Sequence, residues 1–315
     1  MEEKKLKERI CIGILAHVDA GKTTLSEEIL YRTGAIRNRG RVDNRDTFLD
    51  TDDQERARGI TIFSKQAVFP LGDWEVTLLD TPGHVDFSAE MERTLSVLDY
   101  AVLIVSGADG VQGHTETLWR LLKRYQVPVF LFVNKMDQPG TDRAALLKEL
   151  KKRLSDTCVA FDQEGRNEAE WQEVAMCDEH LLEGYLSGNP IEENQIREMI
   201  RARKLFPCYF GSALKGQGVE ELLEGIHVYA RCWEKDGEKE GLGARVYKIS
   251  RDEQGSRLTH LKILSGILKV KDTISGKQGE EKVNQIRIYS GSKYETVSQA
   301  EPGCICAVTG LDGTW

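Results

Sequence analysis

The sequence predicts two units in series: an α/β unit on a mostly parallel sheet, then a small antiparallel β-barrel. Three observations carry this. Apolar runs alternate with helical patterns up to about residue 232. A charged, glycine-rich stretch, WEKDGEKEGLG at 233–243, interrupts the pattern. Beyond it the apolar period drops to two. Strand-then-helix alternation implies parallel strands covered on both faces, and short strands without helices imply a barrel. The expected boundaries are 1–235 for the first unit, 236–243 for a linker and 244–315 for the barrel.

The elements follow in order. RICIGIL (9–15) reads as the first strand, and a helix opens at Lys22. AVF (67–69), EVTLLD (75–80), AVLIV (101–105), VPVFLFV (127–133) and FPCYF (206–210) are the next strands. AEMERTLSVL, TETLWRLLKRY and ALLKELKKRL carry apolar residues at helical spacing between them. The segment 155–205 is polar and charged, with helices expected near 177–186 and 190–204, and reads as an insert. In the barrel, ARVYKIS, LTHLKIL, GILKV, KVNQIRIY and CICAV are short strands broken by Gly and charged turns.

Composition sets limits. The 315 residues are 40% hydrophobic and 30% charged, which suits a folded chain of about two domains. No apolar run approaches the roughly 20 residues a membrane helix needs, so no membrane is expected and the setting is read as cytoplasmic. The net charge of −8 argues against the broad basic surface of a general DNA binder, while leaving room for a local patch on RNA. Seven scattered cysteines lack zinc spacing; Cys304 and Cys306 share a strand face but are two ligands at most, so small buried hydrophobes are expected.

Five short motifs fall at strand ends, where open α/β sheets bind ligands. AHVDAGKT (16–23) fits a phosphate loop except that Ala16 stands in the first glycine position. The loop runs through His17, Val18, Asp19, Ala20, Gly21, Lys22, Thr23 and Thr24. Amides of 19–24 wrap a phosphate at a helix N-terminus, Lys22 reaches the β and γ phosphates, and the Thr23 hydroxyl binds Mg²⁺. Asp80 ends a strand before Thr81, Pro82 and Gly83; its carboxylate serves the Mg²⁺ shell, and Gly83 admits a close N–H to the γ phosphate. RGITI (58–62) offers Thr61 as a second hydroxyl for the metal. In NKMD (134–137), Asp137 accepts from guanine N1–H and N2–H₂, which adenine lacks; Asn134 donates to N7, and the Lys135 stem lies along the base. GSAL (211–214) brings the small residues Ser212 and Ala213, with Leu214, to a backbone contact with guanine O6. Each motif alone is also an ordinary turn or loop. Together, in this order, they point to GTP and GDP with Mg²⁺.

These motifs resemble those of translational GTPases, a family that also accepts Ala in the first phosphate-loop position. The resemblance implies a P-loop GTPase domain. It implies that His84, in DTPGH, positions the attacking water, with Gly83 and Thr61 beside it. Val18 and Ile60 resemble the apolar gate that holds this histidine back, and Asp19 resembles a residue that helps hold a monovalent cation and the water. LSVLDYAVLIVSGADGVQ, NKMDQPGTD and VDNRDTFLDTDDQERARGITI look most like tetracycline-resistance ribosomal protection proteins, relatives of elongation factor G. Elongation factor G usually has Arg where this chain has Gln138. The implied partner is the ribosome, its RNA and proteins in both subunits, approached by a monomer. Three further domains follow in full-length members, so the chain is expected to be an N-terminal part. The alternatives are an elongation factor G-like translocase and a ribosome-binding module that uses GTP only as a switch.

Overall fold

The computed structural model describes residues 8–40, 47–49, 65–81, 88–161, 168–232, 241–252, 254–276 and 279–313. Ile60, Thr61, Pro82, Gly83 and His84 lie outside these described residues.

The first unit runs β1 (Glu8–Ala16), α1 (Lys22–Arg32), β2 (Lys65–Leu71), β3 (Trp74–Asp80), α2 (Ser88–Leu95), β4 (Tyr100–Ser106), α3 (Gly113–Arg124), β5 (Val129–Asn134), α4 (Arg143–Arg153), β6 (Cys158–Ala160), α5 (Glu168–Ala175), α6 (Glu179–Leu186), α7 (Glu193–Arg201), β7 (Phe206–Phe210) and α8 (Val219–Tyr229). Its sheet has the order β2-β3-β1-β4-β5-β7-β6, with β2 antiparallel to β3 and every other pair parallel. Alternate residues feed two cores. Ile10, Ile12, Ile14, Val102, Ile104, Phe130 and Phe132 face one layer of helices. Leu15, Leu103, Val105, Leu131 and Val133 face the other. Burial on both faces is why these strands are continuous apolar runs.

Side chains set several helix starts. The Asp142 carboxylate accepts from Ala145 N at 2.9 Å, and Asp178 accepts from His180 N and Leu181 N, satisfying donors that a helix leaves open. Glu192 and Gln195 form a capping box on α7. The segment read as a helical insert holds more than expected. It contributes the edge strand β6, paired with β7, and a third helix, α5.

The second unit contains β8 (Gly243–Arg251), β9 (Arg257–Ser265), β10 (Leu268–Lys269), β11 (Thr273–Gly276), β12 (Gly279–Lys282), β13 (Gln285–Ser290), β14 (Lys293–Val297), β15 (Gln299–Ala300) and β16 (Ile305–Thr309). An antiparallel sheet of order β14-β13-β16-β9-β8 is joined by the ribbons β10-β15 and β11-β12. Leu268 and Ala300 from one ribbon pack into the same core as Leu261, Ile263, Ile286 and Val308, which gives the unit its barrel-like closure. Cys304 and Cys306 are buried in that core, as small hydrophobes.

The two units share a seam of polar contacts beside a small buried apolar cluster of Cys11, Leu79, Val97, Tyr247 and Ile305. Lys262 Nζ lies 2.5 Å from Asp99 Oδ1 and donates to Val97 O at 3.0 Å. Arg9 bridges Glu75 and Glu301 at 2.8 and 2.9 Å. Along β2, Gln66 O accepts from Gly291 N at 2.8 Å, Val68 N donates to Ser290 Oγ, and Gln66 Nε2 donates to Ile305 O.

Candidate nucleotide site

Parallel register brings the described parts of the phosphate loop, Asp80, NKMD and GSAL to one edge. Ile14 pairs with Asp80, Ala16 with Ile104, Ser106 with Asn134, and Val133 with Phe210. The carboxyl ends of β1, β3, β5 and β7 therefore open on the same side of the sheet.

The loop after β1 needs a special backbone. Asp19 (φ 62°) and Gly21 (φ 93°) both take the left-handed conformation, and a Cβ on Gly21 would stand 2.2 Å from Asn134 Nδ2. Only glycine fits there. Ala20 N donates to His17 O at 3.1 Å, closing the turn. His17 packs against His114 with ring centroids 5.9 Å apart. Val18 is half-buried and Asp19 is exposed.

Lys22 and Asp80 meet as a buried ion pair at 2.5 Å, with Asp80 wholly inaccessible. Thr23 lies half-buried in the first turn of α1, next to Lys22 in sequence. Thr81 is buried, and its hydroxyl donates to Ile14 O at 2.8 Å. That hydroxyl fastens the end of β3 to β1, so the contribution of Thr81 here is positional.

Asn134 is the centre of the arrangement, at 2% exposure. Its Nδ2 donates to Ala20 O at 2.8 Å, and its Oδ1 accepts from Ala213 N at 2.8 Å. One amide thus ties the phosphate loop to the GSAL loop. An amide nitrogen carries two hydrogens, so the second remains for a ligand. Met136 N donates to Gly211 O at 3.0 Å, adding a backbone tie between the two base-side loops. A single 3₁₀ turn, Ala213–Lys215, starts at Ser212.

A cavity of about 220 Å³ lies in this frame. Gly21, Thr24, Asn134, Lys135, Asp137, Ser212 and Leu214, all predicted, line it. A hydrogen bond from Ser212, with help from the Lys215 ammonium 3.5 Å away, holds the Asp137 carboxyl below its ordinary pKa. It is ionised at neutral pH and accepts only, which suits two donors on a base edge. Leu214 is about half exposed, and Lys135 sits at a left-handed backbone position, φ 63°.

Arg39, Gly40 and Gln138 also line the cavity, and Glu27 and Glu28 of α1 stand behind its wall. Sequence reasoning assigned none of these a nucleotide contact. The i,i+4 spacing of Glu28 and Arg32 was the one available signal.

Residues 7–231 match the family described as "Elongation factor Tu GTP binding domain". The chain belongs to this GTP-binding family. Residues 242–315 match "Elongation factor G domain 2". Among relatives of this GTP-binding chain, "Tetracycline resistance protein TetO" of Streptococcus mutans is 40% identical over 279 residues, 84% of this chain and 44% of that protein. The TetP protein of Clostridium perfringens is 36% identical, over 97% of this chain and 50% of that one. TetM from transposon Tn5251 of Streptococcus pneumoniae is 38% identical, over 91% and 47%. The chain spans about half the length of these relatives. The crystal structure of a Thermus thermophilus protein superposes with a TM-score of 0.86 at 27% identity, over 98% of this chain and 53% of that one. The translational GTPase resemblance read from the motifs is borne out, as is the likeness to tetracycline-resistance proteins. As a member of this family the chain binds guanine nucleotide. No helix among the described residues is long and apolar enough to cross a membrane.

Proposed function

We propose that the chain binds GTP with Mg²⁺ and hydrolyses it on the ribosome, as the nucleotide-handling part of a cytoplasmic ribosomal protection factor that releases tetracycline. One observation carries the nucleotide reading: Asn134 locks the phosphate loop to the GSAL loop around a cavity that holds an ionised Asp137. The drug reading is supported by relatives that are named tetracycline resistance proteins. In this proposal residues 1–235 form the nucleotide unit, with an insert at 155–205, and 244–315 form the barrel.

Asp137 accepts from guanine N1–H and N2–H₂, and the spare Asn134 hydrogen goes to N7. The Lys135 stem and Leu214 cover the two faces of the base, while the backbone of the GSAL loop lies on the O6 side. Lys22 exchanges the Asp80 carboxylate for β and γ phosphate oxygens. Mg²⁺ is bound through one or two protein oxygens plus phosphates, rather than by a dedicated cage. Asp80 and Thr23 at the phosphate end of the loop fit that donor set, with Thr61 as a further hydroxyl. When bound, the ion neutralises charge developing on the phosphates. His84 positions the water in line with the γ phosphate, with Gly83 as an amide donor and Asp19 near a monovalent cation. The partner is the ribosome, RNA and proteins of both subunits, met by a monomer. A second reading, an elongation factor G-like translocase, is favoured by the match of residues 242–315 to elongation factor G domain 2.

The test is nucleotide affinity and GTP turnover, with and without ribosomes, for the protein and for His84→Ala. Affinity should hold, while ribosome-stimulated turnover falls by roughly 10²–10⁴-fold, the share of a positioned proton-transfer group. Loss of GTP-analogue binding in that variant would remove His84 from the water-positioning role. Translation in the presence of tetracycline, with a version extended to the full length of the relatives, separates the two readings: restoration supports protection, and its absence with GTPase activity intact supports the translocase.

A further inference from the structure

Helix α1 carries two adjacent buried glutamates, Glu27 and Glu28, that the nucleotide reading leaves without a role. The Glu27 carboxylate accepts three backbone N–H groups, from Phe48 at 2.7 Å, Gly40 at 3.1 Å and Leu49 at 3.4 Å. Glu28 uses both oxygens on arginines: Oε1 takes Arg32 Nε at 2.8 Å, and Oε2 takes Arg39 at 2.6 Å. Arg32 in turn donates to Gly216 O at 2.6 Å and reaches Glu220 at 2.8 Å. Glu28 therefore links two walls of the cavity, the Arg39–Gly40 segment and the loop that carries Ser212 and Leu214.

Burying a carboxylate is costly unless its charge is matched, and this helix face could have been filled by an apolar residue. The arrangement has a different result: it holds a cation at the cavity wall. The Arg39 guanidinium has five N–H donors, and one of its nitrogens faces Glu28. Arg39 shares the cavity with Thr24, in the first turn of α1, and with Lys135 on the base side. A nucleotide that reaches from Asp137 to Lys22 passes its ribose and α-phosphate through this middle region. The α-phosphate is the anionic part there, and a guanidinium fork matches phosphate oxygens.

We propose that Arg39 is a nucleotide-contacting residue. Its guanidinium, presented by Glu28, pairs with the α-phosphate of the bound guanine nucleotide. The Glu28–Arg32–Gly216 link passes that contact to the loop at the base. The proposal rests on the guanine-nucleotide reading of the cavity.

The experiment is a fluorescence titration of the whole chain with GDP and with the two diastereomers of its α-phosphorothioate. Wild type, Arg39→Ala, Arg39→Lys and Glu28→Gln are compared. Arg39→Ala should weaken GDP binding roughly 10- to 100-fold, the range for a charge-assisted contact. The affinity ratio between diastereomers should also change several-fold, because the contact distinguishes the two oxygens. Arg39→Lys keeps length and charge but not the fork, so its loss should be intermediate, and it reports if the alanine variant fails to fold. Glu28→Gln should weaken binding with a smaller change in that ratio. GDP affinity within twofold of wild type in Arg39→Ala would overturn the proposal. So would a loss that leaves the diastereomer ratio untouched, since that marks a purely structural role. Failure of the wild type to bind GDP would overturn the nucleotide reading itself, and the Arg39 contact with it.

Discussion

Replacing Asn134 by alanine tests whether the site is held together before any nucleotide arrives. The side chain makes two buried hydrogen bonds of 2.8 Å, one to Ala20 O and one from Ala213 N. Its removal strands a carbonyl and an amide in places water reaches poorly. Each stranded group costs about 1–3 kcal/mol, so the sum is about 2–6 kcal/mol. Unfolding entropy near the midpoint is about 2.1 cal/mol/K per residue, or about 0.7 kcal/mol/K for 315 residues. The expected fall in Tm is therefore roughly 3–9 °C. Asn134→Asp should do no better, because it keeps the Ala213 bond and sets a charge against the Ala20 carbonyl. The assay is thermal unfolding followed by circular dichroism, with nucleotide stripped and EDTA present, beside GDP affinity on the same samples. A nucleotide-free Tm within about 1 °C of wild type, together with a collapse in GDP affinity, would refute the reasoning. The amide would then serve the base alone.

Other outcomes follow from the same geometry. Asp137→Asn should weaken GTP and favour xanthosine triphosphate, which presents a carbonyl where guanine has its amino group; an unchanged preference in competition would remove Asp137 as the base reader. Lys262→Met deprives the Asp99 carboxylate of its cation in the buried seam and should cost about 3–5 kcal/mol in urea unfolding; a loss below about 1 kcal/mol would contradict the seam's energetic importance. Burial, with the nearby Lys248 charge, depresses the His260 imidazole to about 4, whereas an unfolded histidine titrates near 6.5. The unfolded chain thus binds more protons between those values, and stability should be lost as pH falls from about 6.5 to about 4. His260→Gln should flatten that part of the stability curve, and an unaltered slope would assign the effect to other groups.

Much of the site was legible because its residues stand at strand ends, where a period change and a Gly or Pro mark the chain. The parallel register then had little choice about where Asp80, Asn134 and Ser212 would meet. The β6 strand escaped notice because three residues, Cys158–Ala160, carry no period. Nothing in the helical spacing of α1 announces that Glu27 and Glu28 are buried, because their partners are Arg39, Gly40, Phe48 and Leu49, outside the helix. Lys262 shows the same limit in a strand. Alternation in LTHLKIL sends Leu261 and Ile263 to the barrel core and Lys262 to the opposite face. A single sequence reads that face as solvent, but here it is closed by the turn at Val97 and Asp99. Contacts between distant segments leave no local periodicity to read.

Strand β2 is the outer strand of the seven-stranded sheet, and among the described residues no eighth strand pairs with its far side. The β13–β14 hairpin supplies partners instead: Gly291 N for Gln66 O, and Ser290 Oγ for Val68 N. Pro70, lacking an N–H, thins the remaining row of donors. A bare sheet margin is a template for another chain, and proteins cover it to avoid aggregation. The barrel thus covers part of that margin. Cutting it away would leave the strand that follows the RGITI motif open to pairing with a second copy.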